Sequence, residues 1–162
     1  MVTLRNFEIS DVDRLVEILN QPSVTQFLST KIPYPYTKED AIWWVQEGSN
    51  EGFIRAVEYE GELVGCIGVN PGNFEYERSG EVGYWLCSSH WRRGIMRDAL
   101  RQIIDFTFAH SDIERIFACV FSSNNGSQKL LLSAGFEQEA ILRRAIYKNG
   151  CSFDSHIFSI LR

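Results

Sequence analysis

The amino-acid sequence predicts an α/β layered fold, in which helices cover a central β-sheet. The predicted elements follow the order β-α-α-β-β-β-α-β-α-β-β, and strands that alternate with helices in this mixed way are typical of such layers. The chain has 162 residues, of which 44% are hydrophobic and 23% are charged, as in ordinary globular proteins. Because no repeat or linker divides the chain, we expect a single domain over residues 1–162.

The first predicted elements are a short strand and two helices. Residues 2–7 alternate between apolar and polar side chains, as a half-buried strand does. Ser10 is expected to cap a helix over residues 11–20, and Pro22 is expected to end it. Thr37 has the side chain and the position to cap the second helix. These elements precede most of the predicted sheet.

The middle of the chain is predicted to form a hairpin, a further strand and a long helix. Residues 53–59 and 63–69 are strand-like runs on either side of Glu60-Gly61, which favours a tight turn. A polar loop then leads to a strand over residues 81–87. The amphipathic pattern that follows predicts a helix from about residue 94 to residue 110.

The last part of the chain is predicted to add three strands and a short helix. Residues 115–121 form an apolar run that is typical of a buried strand, and residues 127–133 are expected to be helical. Residues 136–147 and 152–161 are expected to pair across Asn149-Gly150, which is a strong signal for a hairpin turn.

Charge and hydropathy exclude several classes of function. The net charge of −5 argues against nonspecific nucleic-acid binding, and it suits a cationic partner such as an amine or a basic protein tail. No apolar run reaches the roughly 20 residues that span a bilayer, and the N-terminus has no signal-peptide core. We therefore expect a cytoplasmic protein with no nucleic-acid or membrane partner.

The four cysteines and three histidines do not follow a metal-site pattern. Cys66, Cys87, Cys119 and Cys151 contain no CxxC pair, and each lies in a strand-like run. We therefore expect structural thiols rather than a zinc site or a disulfide framework. The histidines are scattered and lack spacings such as HExxH, so no metal is expected.

The most informative segment is a basic loop in this acidic chain. Residues 91–96, with the sequence WRRGIM, stand between the predicted strand and the long helix. The first amides of a helix have no intrahelical partners, and the helix dipole is positive there, so this loop predicts an anion site. The alternative is a solvated basic helix start, but arginine there opposes the dipole unless an anion is present. The residues alone indicate phosphate or pyrophosphate binding, since GxGxxG and GxxxxGK[ST] are absent.

The strand, loop and helix over residues 81–108 resemble motif A of the GNAT superfamily, the acetyl-CoA-dependent N-acetyltransferases. The superfamily loop is usually [R/Q]-x-x-G-x-[G/A]. Here Trp91, Gly94 and Met96 stand at its first, fourth and last positions, so only the glycine matches. The run Tyr84-Trp85-Leu86 before this loop looks like the branch of the ribosomal-protein-alanine N-acetyltransferases and their small-molecule relatives. The resemblance covers nearly the whole chain. It implies a mixed, mostly antiparallel central sheet that has helices on both faces and splays between its fourth and fifth strands.

The resemblance implies acetyl-CoA as cosubstrate, held by a helix start, a strand and a second helix start. The pyrophosphate would lie at the basic loop, the pantetheine arm would pair with the strand, and the thiol would lie near Ser127. The main-chain N–H of Leu86 or Cys87 would polarise the thioester carbonyl. The implied contacts are Leu86, Cys87, Ser88, Arg92, Arg93, Gly94, Ile95, Met96, Asn124 and Ser127. Simple helix capping is the alternative interpretation of Asn124 and Ser127.

Acetyl transfer to an amine needs a proton acceptor for the amine and a proton donor for the leaving thiolate. By resemblance, Glu81 is the expected general base, although a surface carboxylate is the alternative. Many relatives carry a tyrosine acid four residues before the glycine of a GF pair, and that position is Leu131 here. The resemblance to the ribosomal-protein branch implies Ser127 as the acid, with Tyr147 as a second candidate. Departure of the thiolate without a dedicated acid is the alternative.

The resemblance implies that the early helical region, which is rich in aromatic residues, forms one wall of the acceptor site. Tyr34 and Trp43, together with Glu81, are the predicted substrate contacts, and aromatic faces suit an amine through cation–π contact. Core packing is the alternative, which we favour for Phe27 and for one of Trp43 and Trp44, because adjacent residues cannot share a helix face.

The leading hypothesis is therefore an acetyltransferase that moves acetyl from acetyl-CoA to a primary amine in a ternary complex. Both a protein N-terminus of the ribosomal-protein type and a small-molecule amine are open as acceptors, since a fold does not determine a substrate. A noncatalytic CoA-binding regulatory or interaction domain is the alternative, and a phosphate-binding α/β domain unrelated to CoA is a third. The resemblance also suggests a homodimer, although no residue demonstrates one.

Overall fold

The computed structural model describes residues 1–162. Its strands are β1 (Val2–Arg5), β2 (Phe53–Tyr59), β3 (Glu62–Pro71), β4 (Ser79–Leu86), β5 (Arg115–Phe121), β6 (Glu137–Lys148) and β7 (Cys151–Leu161). Its α-helices are α1 (Val12–Leu19), α2 (Pro22–Thr25), α3 (Lys38–Gln46), α4 (Ile95–His110) and α5 (Asn125–Ser133). None of these helices combines the length and the hydropathy needed to cross a membrane.

All seven strands belong to one sheet, in the order β1-β2-β3-β4-β5-β7-β6. Every pairing is antiparallel except that between β4 and β5. The mixed, mostly antiparallel sheet is thus confirmed. Both hairpin turns have positive φ at both residues, with 53° and 80° at Glu60-Gly61 and 51° and 78° at Asn149-Gly150, as such turns require. The cap at Thr37 is also confirmed, because its hydroxyl accepts a hydrogen bond from the Asp40 N–H at 3.2 Å.

The start of the first helical region differs from the prediction. Ser10 does not cap α1; instead Ile9–Asp11 form a short 3-10 turn, and the Glu8 N–H donates to Asp11 Oδ2 at 2.8 Å. The first turn of this region is therefore stabilised by the Asp11 carboxylate at the Glu8 amide, and the predicted cap at Ser10 is wrong. Pro22 begins α2 rather than merely ending α1, since proline fits the first turn of a helix.

The sheet parts where β4 meets β5. These strands pair at three positions, and the last pair is Glu81 opposite Phe117. Beyond it, β4 continues to pair with β3 as far as Leu86, and β5 continues to pair with β7 as far as Phe121. Each strand therefore has a free edge that faces the other. This parting is the expected splay between the fourth and fifth strands.

Two apolar cores lie on opposite faces of the sheet. The core under α4 and α5 spans the parting, since it includes Val82 of β4, Ala118 of β5 and Phe158 of β7. The core between α1, α3 and the sheet extends only as far as β4, where it includes Trp85. On this second face, the half of the sheet formed by β5, β7 and β6 lies beyond the core of α1 and α3.

Candidate functional site

A cleft of about 910 Å³ lies at the parting of β4 and β5. Its walls are residues 82–86 of β4, residues 118–121 of β5, the starts of α4 and α5, and a segment within residues 23–29. We call this last segment the 23–29 wall. A cleft of this size is typical of sites for small ligands and cofactors.

The start of α4 presents main chain to the cleft. Its N-cap is Gly94, with a φ of 77°, and Arg92 also has a positive φ of 60°. Left-handed backbone beside a helix start turns successive amides toward an anion-binding concavity. Ile95 and Met96 line the cleft although they are only 2% and 6% exposed. What they offer a ligand is therefore their N–H groups, which lack intrahelical partners.

Cations gather at this end of the cleft. Arg92, Arg97 and Lys129 all line it, and the last two were not identified from the sequence because no motif marks them. We call the α4 start with these three side chains the cationic end. Such a combination of amides and guanidinium groups can bind a phosphate or pyrophosphate.

The free edge of β4 runs from the cationic end toward the β4–β5 junction. The Cys87 N–H donates to the Val64 carbonyl at 2.7 Å, toward β3. Neighbouring residues of a strand direct their amides to opposite edges, so the Leu86 N–H points into the cleft. Trp91 holds the loop in place, because its indole N–H donates to the Leu86 carbonyl at 2.8 Å. The Leu86 N–H is therefore directed into the cleft, whereas the Cys87 N–H is engaged by Val64 and is not available to a ligand, contrary to the prediction.

The start of α5 closes the cleft beside β4. Asn124 Oδ1 accepts a hydrogen bond from the Ser127 N–H at 3.2 Å, so the capping interpretation is confirmed, and both residues also line the cleft. The Ser127 hydroxyl is hydrogen-bonded to the Tyr84 hydroxyl across the cleft. Burial raises the pKa of Tyr84 to about 12, an effect that the hydrogen bond with Ser127 opposes. Tyr84 is thus protonated at neutral pH, and the Ser127–Tyr84 pair is a source of O–H groups.

The other positions considered for a proton donor lie elsewhere. Leu131 is fully buried in the core under α4 and α5, so a side chain at this position points away from the cleft. Tyr147 is 75% exposed and does not line the cleft. Tyr84 was missed because its role depends on a contact with α5, and the only sequence signal is the strand alternation that places it opposite Trp85.

Glu81 is the only carboxylate that lines the cleft. It lies at the last β4–β5 pair, which is five residues and roughly 17 Å along β4 from Leu86, and it is half-buried. Burial raises the pKa of its carboxyl group, an effect that the charge of Lys31 opposes. We call Glu81, at this junction, the carboxylate end. A carboxylate with a raised pKa is suited to accept a proton near neutral pH.

The 23–29 wall carries an aromatic residue that was assigned to the core. Phe27 lines the cleft and packs against Phe121 of β5, with ring centroids 5.7 Å apart. The core assignment of Phe27 is therefore wrong. One tryptophan does pack inside, because Trp44 contacts Phe7 at a centroid distance of 5.8 Å. The other, Trp43, is 55% exposed.

Five predicted contacts lie outside the cleft lining, namely Cys87, Ser88, Arg93, Tyr34 and Trp43. The Ser88 hydroxyl donates to the Gln21 side chain at 3.1 Å. Arg93 lies over the ring of Tyr59, 5.2 Å from its centroid. The two aromatic residues are more than half exposed. The side chains of all five residues therefore contact other parts of the protein or face solvent, and none of them lines the cleft.

The cysteines divide into two classes. Cys66 and Cys87 are buried, as expected for structural thiols, whereas Cys119 and Cys151 are exposed, which contradicts that expectation. Cys119 lines the cleft on β5. Burial, together with the charge of Glu81, raises the pKa of the Cys119 thiol. Since the thiolate is the nucleophilic form, the surroundings of Cys119 do not favour covalent catalysis.

Comparisons with known proteins agree with this geometry. The model of the acetyltransferase (GNAT) domain family matches residues 1–137. The chain is 32% identical to the uncharacterized N-acetyltransferase p20 of Bacillus licheniformis, over 99% of this chain and 93% of that protein. It is 28% identical to the ribosomal-protein-serine acetyltransferase of Escherichia coli K12, over 90% and 78% of the two chains. The solved structure of Mycobacterium smegmatis RimJ in complex with CoA-disulfide superposes with a TM-score of 0.88 at 24% identity, over 99% and 81%.

Proposed function

We infer the reaction from the premise that this chain belongs to the acetyltransferase (GNAT) family. It is an acyltransferase, its acyl donor is acetyl-CoA, and its resemblance to the ribosomal-protein acetyltransferases is confirmed. We propose that it transfers acetyl directly to a primary amine, either the N-terminus of a protein or the amine of a small molecule.

The observation that carries this proposal is the distribution of charge along the cleft. Cations and unpartnered amides lie at one end, and the only lining carboxylate lies at the other. The free edge of β4 and the Ser127–Tyr84 pair lie between them. These features fit an acyl donor that has phosphates at one terminus and a thioester at the other. A domain that bound phosphate alone would not need a desolvated carboxylate so far from its anion site.

In the proposed binding mode, the main chain makes most of the contacts with the acyl donor, acetyl-CoA. The amides at the start of α4, with Arg92 and Arg97, hold the pyrophosphate. The free edge of β4 pairs with the pantetheine amides, as an added strand would. Asn124 and Ser127 close the site over the thioester. Arg93 is not needed for this role, because its guanidinium lies over Tyr59.

In the proposed reaction, a bond forms between the amine nitrogen and the acetyl carbon, and the carbon–sulfur bond breaks. Because Glu81 lies roughly 17 Å along β4 from Leu86, it accepts the proton that the amine loses through a chain of water molecules. The Leu86 N–H stabilises the oxyanion that develops on the acetyl carbonyl. Ser127 passes a proton to the departing sulfur and regains one from solvent, while Tyr84 orients its hydroxyl. No covalent acetyl-enzyme is required.

The test of this proposal is the release of CoA thiol from acetyl-CoA in the presence of different amines. The panel contains N-terminal peptides of ribosomal proteins, polyamines, amino acids and aminoglycosides. Release with one class establishes the transfer and selects the acceptor. Confirmed CoA binding without release from any amine would contradict transfer to a primary amine and favour the noncatalytic CoA-binding domain.

The direct route is tested by initial rates measured at several concentrations of both substrates. Transfer in a ternary complex gives intersecting double-reciprocal plots. Parallel plots would indicate an acetyl-enzyme and would contradict direct transfer. The substitution Cys119→Ser, at the only thiol in the cleft lining, would then identify the nucleophile.

A further inference from the structure

Lys148 connects the tip of the β6–β7 hairpin to the 23–29 wall. Its ammonium nitrogen Nζ donates to the main-chain carbonyls of Thr25 at 2.8 Å, Gln26 at 3.0 Å and Leu28 at 2.7 Å. An ammonium group has three N–H donors. All three are therefore used within one short segment that is more than one hundred residues away along the chain.

The 23–29 wall has few other supports on this side of the parting. Val24 and Leu28 anchor one side of the wall in the core of α1 and α3, which does not extend beyond β4. Toward β5 and β7, the wall therefore rests on aromatic contacts. Phe27 packs on Phe121, which in turn lies 5.3 Å from Phe153 of β7. Lys148 Nζ lies 6.0 Å from the centroid of the same Phe121 ring. Its hydrogen bonds are the only ones that join the wall to the hairpin.

We propose that Lys148 is a positioning residue for the acceptor, because it holds the 23–29 wall at the distance from β5 that admits the amine to Glu81. This inference rests on the proposed function. Apolar and aromatic contacts are not directional, whereas hydrogen bonds to three carbonyls of the wall also restrain its position along β5. The cationic end has no contact with Lys148. The lysine should therefore affect the binding of the acceptor and leave the binding of CoA unchanged.

The first arm of the test compares Lys148→Met with the wild-type chain and with Lys148→Arg. Methionine keeps most of the apolar stem and removes the three donors. We expect K148M to raise the KM of the acceptor about tenfold, which corresponds to about 1.4 kcal/mol. The kcat at saturating acceptor and the Kd of CoA should change less than about twofold. K148R should recover part of the loss, since guanidinium also donates to several carbonyls. The exposed lysine of α3 gives the matched control, Lys38→Met, which should behave as wild type.

The second arm measures amide hydrogen exchange in the same variants and does not depend on turnover. We expect faster exchange over residues 23–29 in K148M and unchanged exchange over residues 95–110. Unchanged exchange in the wall would overturn the inference, and so would faster exchange with an unchanged acceptor KM. Failure of the proposed function is distinguishable, because wild-type protein would then release no thiol with any amine, and the inference would fall with it.

Discussion

The two ends of the cleft are built from different groups. At the cationic end, main-chain amides of the α4 start and the free edge of β4 do most of the binding, and the side chains of Ile95 and Met96 point into the core. At the carboxylate end, the side chain of Glu81 decides the chemistry, and the side chains of Phe27 and Lys148 hold the 23–29 wall of the same cleft. A site made of main chain needs only the correct fold, whereas a site made of side chains can change with each substitution. The fold thus determines the binding of the acyl donor, whereas a few side chains determine which acceptor is bound.

The strongest test of this division is Glu81→Gln, which should affect the chemistry alone. Loss of a general base typically lowers the rate by 10²–10⁴-fold, so we expect kcat to fall at least about one hundredfold while the Kd of CoA is unchanged. Because burial raises the pKa of Glu81, the acidic limb of kcat against pH should have its midpoint above the ordinary value of roughly 4.3. The limb should disappear in E81Q.

The control for E81Q is Glu77→Gln, at an exposed carboxylate outside the cleft lining. Its rate and pH profile should match those of the wild type. A wild-type acidic limb in E81Q would remove Glu81 as the base and would leave the carboxylate end without a catalytic function.

The opposite end is tested by Gly94→Asp, with Gly94→Asn as its uncharged match. Both residues tolerate the left-handed φ of 77° better than other side chains do, and a Cβ at Gly94 meets no atom within 4 Å. The added charge, rather than a clash, should therefore raise the Kd of CoA, by about thirtyfold more in G94D than in G94N. Titration calorimetry with CoA measures both values. Equal affinities would show that phosphate does not bind at this helix start.

The region between the two ends is tested by Ser127→Ala and Tyr84→Phe. Ser127 is the proposed donor to sulfur and Tyr84 its partner, so we expect kcat to fall about tenfold in S127A and less in Y84F. If a good thiolate leaving group needs no acid, neither variant will change kcat. The same comparison can be made with acyl donors whose leaving thiols differ in pKa. The loss of kcat in S127A relative to the wild type should increase as the leaving thiol becomes more basic.

The smallest expected effect concerns stability and again involves Glu81. A carboxyl group with a raised pKa in the folded state contributes stability that is fully present below its unfolded pKa and is lost as the pH rises through the folded value. At pH 7 the charged Glu81 therefore destabilises the fold slightly, and E81Q should raise Tm by about 1 °C there. Thermal unfolding at pH 4 should show no such gain. A lower Tm for E81Q at pH 7 would contradict the desolvation of Glu81.

The division of the cleft also explains what could be predicted from the sequence. Periodicity and turn residues predicted the bounds of β2 and β5 and the two hairpins, because alternating apolar residues and hairpin turns are local signals. Gly94 was found because a basic loop before an amphipathic helix is also a local signal, and Gly94 is the N-cap of α4. The contacts of Tyr84 and of Lys148 were not found, because each joins elements that are distant along the chain and no local pattern marks them. Arg93 and Ser88 were misplaced because a motif gives the position of a residue and not the direction of its side chain.

The junction of three residue pairs between β4 and β5 has a further consequence, for folding. The hairpins β2–β3 and β6–β7 close short loops, whereas the β4–β5 junction must close a loop that contains α4. Loop closure costs entropy before such contacts can form, so we expect this junction to form after the two hairpins. An acyl donor that lies along both free edges would supply part of the pairing that the parting lacks. Its binding free energy would then add to the free energy of unfolding, and the order in which the two halves of the sheet separate would change when CoA is present.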